Sequence, residues 1–207
     1  MASSDSTTLI LFAKNPDGIV KTRLASVLGM RAAQNVYQRL LTRTMEVVEA
    51  SLFQRRLVMV ANAADHDHFE QRLAQRPVLW EVGVQCQGDL GRRMRTALAG
   101  CVGEDSAALL IGSDLADIEA SDLNEALLLL ADADQCVIGP AVDGGYWAFG
   151  CRSSVPEVFE QVSWSSGAVY RQTTSQLDAL GVSWHRLPTR HDIDRPHDLE
   201  RFPSLLA

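Results

Sequence analysis

Two uninterrupted runs of mainly apolar residues, at residues 8–13 and 107–113, constrain the fold more than any other feature. A strand with one face in water alternates apolar and polar residues, whereas a strand covered by helices on both faces is apolar throughout. Helical periodicity follows the first run, most clearly at residues 30–50, where apolar residues recur every three or four positions. The pattern therefore predicts a parallel sheet between two layers of helices.

The rest of the chain repeats this alternation of strands and helices. Further strands are predicted at 56–61, 82–87, 135–139 and 182–187, and helices at 66–75, 90–101, 121–130, from Ser165 or Ser166 to 180, and at 196–202. The apolar stretch at 146–150 returns so soon after the preceding strand that we expect it to be antiparallel. Residues 1–207 are expected to form a single three-layer α/β/α domain with a mixed, mainly parallel sheet.

The composition narrows the class of protein. The chain has 207 residues, 46% of them hydrophobic, and a formal charge of -7, which is typical of a globular protein and unfavourable for a broad nucleic-acid surface. No apolar run is long enough to cross a membrane, and residues 1–8 lack the features of a signal peptide, so we expect a cytoplasmic protein that binds neither nucleic acid nor membrane. The sequence leaves the oligomeric state open.

A basic loop follows the first predicted strand. It carries Lys14, Lys21 and Arg23, with Gly18 between them. A loop between a strand and a helix can offer backbone N–H groups and cationic side chains to phosphates. The loop is not a P-loop, since Val20 rather than glycine precedes the lysine. A solvated basic turn is the alternative interpretation.

Three aspartates are candidate ligands of Mg²⁺ or Mn²⁺. Asp114 follows the second apolar run, directly after Ser113, and the carboxyl ends of parallel strands line the ligand crevice in such sheets. Asp192 and Asp194 lie on one side of an extended segment, where one of them could share a metal with Asp114. The alternative interpretation is that Asp114 and Asp194 cap the turn or helix that follows each.

Two further glycine-containing segments follow predicted strands. In the first, Asp143, Gly144 and Gly145 precede Tyr146 and Trp147. The glycines would let backbone approach a ligand and the rings would line an acceptor pocket, or the segment is a tight turn with core aromatics.

The second segment contains Gly88 and Asp89, of which Asp89 is expected to cap a helix. The sequence Asp-His-Asp-His at residues 65–68 is interpreted as an exposed helix cap rather than a metal site.

Six of these stretches, taken in order, resemble a known family. They are residues 12–14 with 20–24, 87–91 with 93–94, 112–114, 139–140 with 143–146, 164–165, and 192–194 with 196 and 198–199. Together they resemble a bacterial family of glycosyltransferase-A-like proteins labelled radical-SAM/selenodomain-associated transferases. They are more distantly similar to molybdenum cofactor guanylyltransferase and phospholactate guanylyltransferase.

The resemblance implies a nucleotide-diphospho-sugar transferase fold, also called the glycosyltransferase-A fold. It also implies that Lys14, Lys21 and Arg23 face the phosphates of a nucleotide and that Asp114 holds the metal. We also expect four further residues to bind the nucleotide: Gly18, Gly88, Asp89 and Ser113. The residues expected to bind the acceptor are Gly144, Gly145, Tyr146 and Trp147.

The function expected is a metal-dependent transferase that moves a glycosyl or nucleotidyl group from a nucleotide-sugar or nucleoside triphosphate to a small acceptor. Lys21 would stabilise the transferring or leaving phosphate and Asp143 would orient or deprotonate the acceptor. The alternative is a non-catalytic nucleotide-binding module that serves a partner enzyme. It is motivated by Leu115 and Ala116, where the family shows a small residue or cysteine followed by proline.

Overall fold

The computed structural model of the chain describes residues 6–131 and 135–206, and these residues build one seven-stranded sheet. Residues 1–5, which are part of the stretch considered for a signal peptide, lie outside the described residues. The strands are β1 (Ser6–Ala13), β2 (Arg55–Val60), β3 (Glu81–Val84), β4 (Ser106–Gly112), β5 (Gln135–Pro140), β6 (Tyr146–Arg152) and β7 (Ser183–Arg186). Their order in the sheet is β3-β2-β1-β4-β6-β5-β7, and β6 is antiparallel to both of its neighbours. The mixed, mainly parallel sheet and its antiparallel excursion are confirmed.

Helices cover both faces of this sheet. They are α1 (Thr22–Leu28), α2 (Met30–Glu49), α3 (His66–Leu73), α4 (Leu90–Ala99), α5 (Ala120–Leu129) and α6 (Val169–Ala179), with short 3₁₀ helices at Ala63–Asp65, Pro196–Arg201 and Pro203–Leu205. Helices α2, α3 and α5 pack on one face and α4 and α6 on the other. This arrangement confirms the three layers.

None of the helices in the described ranges is both long and apolar enough to cross a membrane.

The apolar run of β1 is buried on both of its faces. Leu9 and Leu11 pack in the cluster that α2 covers, whereas Ile10 between them packs in the cluster that contains Leu98 of α4. All three side chains are fully buried, and each contributes roughly 1.5–3 kcal/mol relative to an exposed position. Burial on both faces is the reason that the run does not alternate.

The side of the sheet to which successive strands are added changes between β1 and β4. Strands β2 and β3 extend the sheet to one side of β1, and β4 lies on the other side. The register pairs Phe12 with Gly112, so the loops that follow β1 and β4 leave the sheet next to each other. A crevice opens at such a switch point in α/β sheets.

Two helices differ from the sequence-based expectation. Helix α1 was not predicted, because residues 22–28 bury only Leu24 and therefore show no apolar stripe. Helix α6 begins at Val169 rather than at Ser165 or Ser166. Ser165 has φ of 66°, which is the left-handed region and cannot continue a right-handed helix.

The turn between β5 and β6 needs glycine at position 144. Gly144 has φ of +91°, and a Cβ built on it would lie 2.3 Å from the carbonyl oxygen of Gly167. The backbone N–H of Tyr170 donates to the carbonyl oxygen of Gly144. The close approach that this glycine permits is therefore to the loop before α6.

We expect Gly144→Ala to lower the free energy of unfolding by about 3 kcal/mol, because left-handed strain and overpacking act together. Gly181→Ala is the matched control, since Gly181 has φ of +66° and open space where the Cβ would be. That variant should lose only about 1 kcal/mol. Urea denaturation of both variants measures the difference, and equal losses would contradict the packing argument.

Candidate functional site

The side chain of Lys21 lies at the centre of the candidate site. Its Nζ donates to Oδ2 of Asp114 at 2.7 Å and to Oδ1 of Asp194 at 3.4 Å. The side chain is only 6% exposed. Lys21 is also the residue before α1, with φ of 46° and ψ of 49°. A left-handed conformation costs a lysine energy, and such costs are commonly found at functional positions.

Backbone hydrogen bonds bring the segment that contains Asp114 next to the segment that contains Asp194. The N–H of Ile193 donates to the carbonyl oxygen of Asp114, and the N–H of Ala116 donates to that of His191. Leu115 and Asp192 thereby form an antiparallel bridge. Residues 190–194, which follow β7 and are called the late segment below, thus pair with the chain that leaves β4.

The side chains of this late segment alternate as in a strand. Ile193 is fully buried in a cluster with Leu24 and Val36, while its neighbours Asp192 and Asp194 are partly exposed. Asp194 also accepts a hydrogen bond from Nη1 of Arg23 at 2.5 Å. The structure therefore brings together Lys21, Arg23, Asp114 and Asp194, all of which were predicted site residues.

Long-range ion pairs hold the late segment in place. Arg190 binds Asp122 through Nε at 2.9 Å and Nη2 at 2.5 Å. His191 donates its backbone N–H to Asp117, and its Nδ1 lies 2.8 Å from the same carboxylate. Sequence reasoning missed Arg190, His191 and Asp122 as parts of the site. The paired residues are 68 and 74 positions apart, so no local spacing signals them.

Tyr37 joins the loops that follow β1 and β4. Its hydroxyl accepts from the backbone N–H of Lys14 at 2.9 Å and lies 2.7 Å from Oγ of Ser113. Burial raises the pKa of Tyr37, so the hydroxyl keeps its proton. Sequence reasoning treated Tyr37 as one apolar position of α2. The available signal was a tyrosine among aliphatic residues, since a buried tyrosine hydroxyl normally finds a polar partner.

Positive and negative charges balance at Asp114 but not at Asp192. Burial opposes ionisation of Asp114, but the charge and hydrogen bond of Lys21 outweigh it and hold the pKa of this carboxyl below its usual range. Burial likewise opposes the charge of Lys21, yet Asp114 and Asp194 raise its pKa. Burial and the nearby charges of Asp143 and Asp114 raise the pKa of Asp192 to about 6. Negative charge around Asp192 is therefore incompletely balanced.

This unbalanced negative charge fits a divalent cation. The charges of Asp143 and Asp114 both act on Asp192, and carboxylate oxygens are the ligands that Mg²⁺ and Mn²⁺ prefer. Mg²⁺ needs only one or two protein carboxylates, because water and substrate phosphate complete its shell. The chemistry of these residues therefore suits a metal held jointly with a phosphate.

The aspartates do not form a closed metal cage. Within residues 6–131 and 135–206, only His66, Asp67 and Glu70 place three such ligand atoms within 4.8 Å of one another. These residues lie at the start of α3, where the Asp67 and Glu70 side chains are exposed. An exposed acidic group of this kind is common without a bound ion.

The predicted acceptor residues divide between the two faces of the sheet. Asp143 is exposed, and its Oδ1 accepts from the N–H of Gly145 at 2.8 Å. The Tyr146 ring packs against Phe149 and Trp164. Trp147 is buried in the core on the opposite face, where Nε1 donates to the carbonyl oxygen of Pro188. The position of Trp147 matches the alternative interpretation, a tight turn with core aromatics.

The remaining predicted residues lie in ordered turns. Gly18 donates its N–H to Asn15 in the loop after β1. Gly88 has φ of +129°, and Asp89 caps α4 by accepting from the N–H of Arg92 at 2.8 Å. The helix-capping role expected for Asp89 is confirmed. Gly88 and Asp89 follow the edge strand β3, whereas Asp114 follows the central strand β4.

The sequence of residues 44–166 matches the family described as uncharacterized proteins conserved in bacteria, DUF2064. The chain belongs to this family. No curated protein sequence matches the chain.

Solved structures with the same fold include three transferases. A candidate nucleotide-diphospho-sugar transferase from Desulfovibrio desulfuricans G20 is 29% identical over 95% of this chain and 85% of that chain, with a TM-score of 0.84. The inositol-1-phosphate CTP transferase from T. maritima is 16% identical over 98% and 96%, with a TM-score of 0.63. Glucosyl-3-phosphoglycerate synthase from Mycobacterium tuberculosis, solved with Mg²⁺ and UDP, is 12% identical over 98% and 76%, with a TM-score of 0.53.

These similarities confirm the nucleotide-diphospho-sugar transferase fold that the sequence resemblance implied. Membership of the radical-SAM/selenodomain-associated type stays a prediction, and so do the roles of the individual site residues in this DUF2064 protein.

We expect Arg190→Met to lower the free energy of unfolding by about 3 kcal/mol, because it leaves the Asp122 carboxylate, 4% exposed, without its cation. Arg55→Met is the matched control. Arg55 forms an ion pair with Glu81, but the two side chains are 43% and 48% exposed, so the loss should be at most about 1 kcal/mol. Chemical denaturation measures both, and a small loss in Arg190→Met would show that the pair does not hold the late segment.

Proposed function

We propose that this protein is a metal-dependent transferase whose donor is a nucleoside triphosphate or a nucleotide-sugar. It transfers a nucleotidyl or glycosyl group to a small acceptor. The observation that carries this proposal is the grouping of Lys21, Asp114, Asp192 and Asp194 where the loops after β1 and β4 meet. Carboxylates and cations together at a switch point suit a metal-bound diphosphate better than an apolar ligand.

The fold neighbours support the donor class. One is a CTP transferase and another was solved with Mg²⁺ and UDP, so nucleotides are ligands of proteins with this fold. Because these neighbours are 16% and 12% identical to the chain, their substrates are no guide to the base or the acceptor here. The roles proposed below therefore rest on the residues of this chain.

Asp114 and Asp192 are the residues that would hold the cation. Asp114 stays ionised because of Lys21, and Asp192 lies in the field of two other carboxylates. A bound Mg²⁺ or Mn²⁺ would offset the charge that develops on the diphosphate. Asp194 is held by Arg23 and Lys21, which makes it a positioning residue for these cations as well as a candidate ligand.

The cations of the loop after β1 would bind the phosphates. Lys14 and Arg23 are exposed at this edge of the sheet, where they can attract an anionic donor. Lys21 lies deeper, against Asp114, and its ammonium group would stabilise the transferring phosphate or the leaving group. The backbone N–H of Lys14 is already bound to Tyr37, so its side chain is the part available to a ligand.

Asp143 would act on the acceptor. One of its oxygens accepts from Gly145 and the side chain is exposed, so the other oxygen can orient an acceptor hydroxyl or take its proton. A hydroxyl acceptor in glycosyl transfer needs this help more than a phosphate acceptor in nucleotidyl transfer does. Asp143 therefore bears on which of the two reactions occurs.

We expect a suitable nucleotide with Mg²⁺ or Mn²⁺ to raise the thermal midpoint of the wild-type protein, and Asp114→Ala to abolish that rise. At a concentration about a hundredfold above the dissociation constant the ligand adds roughly 2.7 kcal/mol. For a chain of this length that energy corresponds to roughly 5–10 °C. The panel contains ATP, CTP, GTP, UTP and UDP-glucose, each with and without metal, in a thermal-shift assay.

Asp105→Ala is the matched control, because Asp105 is exposed just before β4, at the opposite end of the strand from Asp114. It should keep the metal-dependent shift. No shift with any nucleotide would refute the donor assignment. A shift without consumption of the nucleotide in the presence of candidate acceptors would favour a non-catalytic nucleotide-binding module.

A further inference from the structure

The ammonium group of Lys21 lies between two of the three candidate metal ligands. Its Nζ lies 2.7 Å from Asp114 and 3.4 Å from Asp194, so one ammonium group binds two of the three candidate metal ligands. Its side chain is 6% exposed, whereas those of Asp114 and Asp194 are 37% and 38% exposed. The carboxylates are reachable from solvent while the cation between them is sheltered.

The surrounding charges reinforce this arrangement. Asp194 is also bound by Arg23, so the two carboxylates are shared between two cations at the start of α1. A metal that approached Asp114 would meet the positive charge of Lys21 at close range, and the repulsion is strong in a partly buried site. Mg²⁺ also gives up its water reluctantly, which adds to the barrier.

A nucleotide phosphate changes this balance. It brings negative oxygens that can bind the metal and an ammonium group at the same time. The lysine side chain is a flexible four-carbon stem, so its ammonium group can move between neighbouring anions without a change of backbone. Lys21 is the residue before α1, in the left-handed conformation, and its side chain extends from there to Asp114 and Asp194.

We propose that Lys21 is an internal counter-ion that keeps free divalent metal away from Asp114 and Asp194, so that the donor enters as its metal complex and withdraws Lys21 onto its phosphates. The inference rests on the proposed function. It assigns the order of binding and makes the metal-bound nucleotide, rather than the nucleotide and the metal separately, the true ligand.

The test measures the binding of Mn²⁺ alone by electron paramagnetic resonance of the free ion. Wild-type protein should bind Mn²⁺ weakly, and Lys21→Gln should bind it about tenfold more tightly or better, because the competing charge is gone. Lys21→Met is measured in parallel, in case the amide of the first variant disturbs the fold. Circular dichroism verifies that each variant is folded.

Arg31→Gln is the matched control, since Arg31 is an exposed cation of α2 and is not one of the candidate site residues. Its removal lowers the net charge equally but frees no carboxylate of the site, so the Mn²⁺ affinity of this variant should stay within about threefold of wild type because solvent screens exposed charges. Equal gains in the Arg31 and Lys21 variants would overturn the proposal in favour of a general charge effect. Equal affinity in wild type and both Lys21 variants, or no Mn²⁺ binding by any of them, would overturn it outright.

This outcome is independent of the nucleotide panel. If nucleotides stabilise the wild-type protein but the Lys21 variants bind Mn²⁺ no better than it does, the binding order is wrong and the transferase proposal stands. If no nucleotide stabilises the wild-type protein, the donor assignment fails whatever the Mn²⁺ measurements give.

Discussion

The short antiparallel pairing of residues 114–116 with residues 191–193 is the constraint on which the site depends. It joins the end of the central strand β4 to a segment near the end of the chain, through hydrogen bonds at Asp114 and Ala116. Three carboxylates reach one edge of the sheet as a result. Without this pairing, Asp192 and Asp194 would belong to an unattached loop, and Lys21 would have a single acidic partner.

The pairing is itself supported by buried polar contacts around it. Arg190 is bound to Asp122 at the start of α5, and His191 to Asp117 in the loop before that helix. The Tyr37 hydroxyl connects the chain that leaves β1, at Lys14, to the chain that leaves β4, at Ser113. These contacts satisfy groups that would be costly to bury alone, and none of them uses the carboxylates of Asp114, Asp192 or Asp194.

Under the proposed function, the same geometry would let a small number of charged residues suffice for phosphate chemistry. The cations of the first loop and the aspartates of the later segments are interleaved in space, so each carboxylate already has a cation beside it or a surplus of negative charge around it. A metal and a diphosphate together would satisfy both kinds of group.

The sequence by itself determined the layers and the direction of the sheet, because continuous apolar runs at β1 and β4 can be buried only between two layers of helices. It also marked Asp114 as the charge that follows the second apolar run, Lys21 and Arg23 as cations of the basic segment after the first run, and Asp194 as one of two aspartates after the last predicted strand. Only the tertiary structure decided that Arg190, His191 and Tyr37 support the site and that Trp147 belongs to the core. These positions follow from contacts between residues distant in the chain, and helix α1 was equally invisible because it buries one residue. Local periodicity reports which face of an element is buried, whereas the choice of partner across the fold depends on packing that no local pattern contains.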